Sequence, residues 1–205
     1  MALVKYNNNS ISAITAAAGL PSGAMTLIKS QTASSSSTVS FVHGTSDVVL
    51  NNTYPIYLFK LINIHPSAQA FFGFNFSIDA GSNYNTTKMS TNVRAYHSEA
   101  DSTDLDYKDG DDITQGTGQV LTAGNLGTGN DESLSGELWL FNPASTTYVK
   151  NFIWRSSCVQ SAPAAFDCLV GGYVNTTSDV DAVQFAMASG NIDSGTIKLY
   201  GINDS

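Results

Sequence analysis

The densest run of ionisable side chains lies between Glu99 and Asp112, where seven carboxylates (Glu99, Asp101, Asp104, Asp106, Asp109, Asp111 and Asp112) accompany a single base, Lys108. Hard carboxylate oxygens spaced along a loop are ligands that suit calcium. Asp104, Asp106 and Asp109, followed by Gly110, match part of a calcium loop, but Lys108 takes its fifth position and no glutamate closes it at the twelfth. The stretch therefore reads either as a calcium site at Asp104, Asp106 and Asp109 or as a solvated acidic loop. Sugar hydrolysis would need two of these carboxylates to meet across a cleft.

Cys158 and Cys168 flank the segment VQSAPAAFD, long enough for a hairpin turn that sets two sulfurs opposite one another. A local disulfide and two buried, reduced thiols both fit, since a protein assembled inside a cell keeps its thiols reduced. His43, His65 and His97 are far apart in the chain, and a nucleophilic pairing of Cys158 with His97 lacks any local signature. There is no phosphate-cradling glycine loop, nucleophile elbow or paired-histidine helix. The expectation is a protein that is not an enzyme. The sequons at Asn85 and Asn175 read as turn composition.

Positioning falls to β-strands. AMTLIKS and TVSFVHG bracket the serine tract Ser34 to Ser37, which reads as the loop of a hairpin-like connection. TYPIYLFKLINI, bulky on both faces, is expected to be a central strand. In AFFGFNFSI, alternation sends Phe72, Phe74 and Phe76 to one face, where they supply a core. KMSTNVRAYHSE alternates less cleanly. Residues 99–133 carry little strand signal beyond GQVLTAG and read as a long acidic loop. GELWLFNP and TTYVKNFIWRSSCV form a hairpin, and AFDCLVGGYVN, DAVQFAMAS and GTIKLYGIN finish the chain, about nine or ten strands in all. Ile11 to Leu20 fits a turn or two of helix ending at Gly19 and Pro21. The expected organisation is an N-terminal anchoring segment, 1–22, and one domain, 23–205: an all-β, antiparallel two-sheet sandwich of jelly-roll type.

Composition narrows the partners. Hydrophobic residues make up 42% of 205 residues and charged ones only 13%, so a large core is wrapped in Ser, Thr, Asn and Gly. A formal charge of −8 repels phosphate backbones, which argues against nucleic acid. No apolar run approaches the roughly 20 residues of a membrane helix, and the first residues lack the layout of a secretion signal. Trp139, Trp154 and Tyr96 could form an exposed platform for a glycan, or serve as core.

Five phrases, MALVKYNNNSISAIT, YPIYLFKLINIHPSA, RAYHSEAD, GELWLFNPASTTYVK and VQFAMASGNIDSGTIKLYGI, spread over most of the chain. In these it resembles small virion proteins, of roughly 200 residues, from tailed phages of marine bacteria, cyanobacterial phages in particular. The resemblance implies a structural protein of the virion surface, assembled in the host cytoplasm as capsid decoration or cement, or as a fibre or tail component. It also implies a homo-oligomer, with trimers common on phage surfaces, whose partners are major capsid or tail proteins. A host-receptor-binding module of a tail or fibre is the alternative it leaves open. No functional residue is carried over by these phrases.

Overall fold

The computed structural model describes residues 24–122 and 124–203, and the expected anchoring segment, 1–22, lies outside them. The described chain is all-β. Its strands are β1 (Met25–Ser36), β2 (Thr38–Val42), β3 (Ile56–Pro66), β4 (Phe72–Ser77), β5 (Lys88–Ser98), β6 (Thr103–Tyr107), β7 (Ile113–Gly116), β8 (Val120–Leu121), β9 (Leu134–Phe141), β10 (Lys150–Gln160), β11 (Ala164–Val174), β12 (Ala182–Met187) and β13 (Ile192–Ile202).

Nine strands form one sheet in the order β1-β13-β3-β9-β10-β11-β5-β6, with β7 also paired to β5, and four form a second in the order β2-β12-β4-β8. Every pairing is antiparallel. This order defines two stacked antiparallel sheets and goes no finer; nine strands against four do not by themselves make a jelly roll.

Aromatic contacts join the sheets. Phe72, Phe74 and Phe76 leave one face of β4, as their alternation predicts, and all are fully buried. Phe74 meets Phe152 edge-on at 5.5 Å and Trp154 at 5.6 Å, and Phe59 meets Phe185 at 5.4 Å. Each such ring contributes about 1.5–3 kcal/mol of burial. β3 is central, as expected, lying between β13 and β9. Leu61 and Ile64, three residues apart, both reach the core because the register shifts between them and Asn63 adopts φ 51°. Opposite that bulge, Gly195 has φ 123° and sits so close to Asn63 O and Ile64 that no side chain fits.

Two expectations fail. The serine tract is not a hairpin loop: β1 runs on to Ser36, and β1 and β2 belong to different sheets. Only Ser37 separates them, and the chain crosses there from one sheet to the other, with Ser35 at φ 46° near the end of β1. Nor is 99–133 one long loop interrupted only at GQVLTAG: β8 does lie in that piece, but β6 and β7 precede it. Short edge strands need only backbone pairing, which hydrophobic alternation does not report.

Candidate functional site

Four of the seven acids of 99–112 are each held by a separate partner. Asp106 pairs with Lys108, Asp111 with Arg94, Asp101 with His97 at 3.0 Å, and Asp112 accepts from the Tyr107 hydroxyl at 2.6 Å. Asp104 and Asp106 lie on β6, whereas Asp109 follows in the turn beyond it. No group of three His, Cys, Asp or Glu placed to hold a metal ion occurs among the described residues, so Asp104, Asp106 and Asp109 are not gathered into a calcium site.

The cysteines are also separate. Cys158 stands opposite Phe166 and Cys168 opposite Ser156, which makes them a diagonal pair on the inner face. Diagonal neighbours lie about 7–8 Å apart, whereas a disulfide needs Cβ atoms within about 4.5 Å. Both thiols are free and buried, and burial pushes each up to about 12. His97 lies on the outer face of the same sheet, so it cannot serve Cys158; the alternation of β5 and β10 puts the two on opposite sides. His43 Nδ1 accepts from Leu50 N, and His65 Nε2 bonds Gly129 O at 3.1 Å.

Trp139, Trp154 and Tyr96 do not form one platform. Trp139 pairs with Ile153 and Trp154 with Leu138, so the two indoles leave the sheet on opposite faces. Trp154 is fully buried, and its Nε1 donates to Ser156 Oγ at 3.0 Å. Tyr96 is on the inner side, stacked on Phe166 at 5.5 Å. Trp139 alone, half-buried, faces outward.

A buried polar layer escaped sequence reading. Lys88, Ser90 and Asn92 of β5 point inward at 0%, 7% and 2% exposure, while Met89 and Val93 point outward. Ser90 Oγ accepts from Ile113 N at 3.0 Å, and for Lys88 and Asn92 the cause is the segment Thr117–Thr122, several of whose carbonyls are satisfied by side chains. Asn75 Nδ2 donates to Thr117 O, Lys88 Nζ to Gly118 O, Asn92 Nδ2 to Leu121 O and Ser156 Oγ to Thr122 O. Lys88 Nζ also donates to Thr86 O at 2.8 Å, and burial lowers its pKa to about 8. Lys150, equally buried, donates to Thr176 O, and burial lowers its pKa too. These lysines are accounted for as carbonyl donors.

What remains is the outer face of the nine-stranded sheet. Met25, Leu27 and Ile153 are 46%, 52% and 46% exposed there, and between them run Tyr200, Trp139 and Phe141. Leu58 is only 2% exposed yet stands outside the core cluster, because the bulky neighbours on this face cover it. Beside this apolar band lies a shallow depression of about 570 Å³, whose lining includes Lys60, Ile62, Glu137, Arg155 and Asp167. Among the described residues no helix is long and apolar enough to cross a membrane. No protein-family model, curated protein or solved structure matches the chain.

Proposed function

We propose that this chain is a non-enzymatic structural protein of a virion exterior, of the capsid decoration, cement or fibre type, that works by packing one sheet face against other subunits. The observation that carries the reading is the apolar band on the outer face of the nine-stranded sheet: large side chains stand exposed on both sides of Trp139, on a face that no second sheet covers. Contiguous apolar surface of this kind marks interaction sites. The surface of uncharged polar residues and the phrases shared in style with phage virion proteins support the same reading. The test is immunogold labelling of purified phage particles with an antibody to this chain. Label on the particle exterior is expected; particles without the protein would overturn the proposal.

The depression one row along the sheet from Trp139 favours a second reading, a glycan-binding module, because it sets the charged and hydroxyl groups of Glu137, Arg155 and Ser157 near that ring. Quenching of Trp139 fluorescence by host polysaccharide, lost in Trp139→Ala, is its expected signature. No quenching with any host glycan would dispose of it.

A further inference from the structure

The outer face carries a pattern that answers itself in reverse. One row of side chains crosses six strands in the order Leu27, Tyr200, Leu58, Trp139, Ile153, Gly171. A line between β3 and β9 splits this row into halves. Around a two-fold axis on that line, each half would meet the other half of a second copy.

The shapes fit. Leu27, 52% exposed, would face Gly171, where the missing side chain opens a recess of about 320 Å³ bordered by Met89, Thr91, Asn151 and Tyr173. Trp139 would face the recessed Leu58, and Tyr200 would face Ile153. The charges fit as well: Lys60 and Glu137 stand on either side of the same line, so each lysine faces the glutamate of the other copy. Lys198 would face Arg155, whose charge is already paired with Asp167 at 3.1 Å. A self-complementary patch of this kind is what an isologous interface requires.

The extent is also adequate. With strands about 4.8 Å apart and outward residues about 6.6 Å apart, each outward side chain covers about 32 Å². A stable interface of about 800 Å² per partner then takes about 25 positions, which six strands supply in about four rows.

We infer that the outer face of the nine-stranded sheet seats a second copy of this chain about a two-fold axis running along the strands between β3 and β9. The inference rests on the reading of the apolar band as an assembly surface, and it names the occupant. Sedimentation velocity on the full chain tests it. The wild-type protein is expected to dimerise, and Lys60→Glu and Glu137→Lys are each expected to be monomeric, since like charges then meet twice. An equimolar mixture of the two variants is expected to dimerise again, because opposite charges face each other at both contacts of the mixed pair. Neighbouring charges within one chain cannot produce that rescue.

Gly171→Leu provides a second variant: its Cβ would meet nothing closer than Thr91 Oγ1 at 3.6 Å, so the fold tolerates it, and filling the recess is expected to weaken association at least ~10-fold. A wild-type monomer at concentrations up to about 1 mM would overturn the inference. So would a dimer that either charge variant retains, a mixture that stays monomeric, or a dimer that forms only once residues 1–23 are removed, which would assign the face to that segment. A solution dimer absent from virions would keep this interface and remove the virion role; a monomer found on virions would do the reverse.

Discussion

Strands β5 and β10 flank β11 in the same sheet, yet they present different chemistry to the interior. β10 sends Phe152, Trp154 and Cys158 inward, with Lys150 and Ser156 as its polar exceptions, and leaves Ile153 and Arg155 outside. β5 sends Lys88, Ser90 and Asn92 inward and leaves Met89 and Val93 on the outer side. The difference lies in what each strand faces. Across from β10 are the rings of β4, which need apolar contact. Across from β5 is the stretch Thr117–Thr122 around the two-residue strand β8, whose carbonyls need donors. An unsatisfied buried carbonyl costs about as much as a buried methyl cluster gains, so polar side chains win there. Burial in this protein follows the partner, not the hydrophobicity of the strand.

The largest effect that would break this contrast is expected at Trp154. Trp154→Ala should cost about 3–5 kcal/mol, because it empties a ring-lined site and strands Ser156 Oγ without its indole donor. A urea midpoint shift of that size checks it; a loss under about 1 kcal/mol would mean the rings of β4 do not depend on β10.

A smaller, pH-dependent effect is expected at Lys88. Its folded-state pKa, lowered by burial to about 8, lies below the ordinary value of 10.5, so between those values the unfolded chain binds more protons than the folded one. Stability from this group therefore rises with pH across that window. Lys88→Met should cost about 1–3 kcal/mol near neutral pH by orphaning Gly118 O and Thr86 O. Its deficit relative to wild type should widen from pH 7.5 to pH 10 (about the window just named). Parallel pH profiles of the two proteins in urea would refute the burial of this amine. The comparison between proteins matters, because Cys158 and Cys168, held up near 12, act in the opposite sense at high pH in both.

The same contrast explains what the sequence made legible. Where a strand faces apolar neighbours, alternation reads directly, as in AFFGFNFSI and in the GELWLFNP hairpin. In KMSTNVRAYHSE the alternation is real but inverted, and nothing within the strand reveals that Thr117–Thr122 passes over it. β8 falls within GQVLTAG, the one piece of that region with strand signal, whereas β6 and β7 went unseen because edge pairing is a backbone matter. The aromatic platform failed for a related reason: which face Trp139 and Trp154 take depends on the register of two strands, and a one-residue slip would exchange them. The outer band was hidden because strands bulky on both faces are the ordinary signature of burial on both sides.

Trp139 sharpens the comparison from the other side of the sheet. It is as large as Trp154 and sits on the neighbouring strand, but the described chain offers it no opposing layer. Trp139→Ala should therefore lower monomer stability by no more than about 1 kcal/mol, the cost of uncovering Leu58. Fluorescence separates the two indoles: Trp154→Phe leaves a ring that acrylamide quenches readily in dilute protein, and Trp139→Phe leaves one it hardly reaches. Raising the protein concentration should then protect Trp139 while leaving Trp154 unchanged, because only the outer ring has a partner still to gain. Equal quenching of both indoles at every concentration would mean the outer face is already covered, and the asymmetry between the two sides of the sheet would vanish.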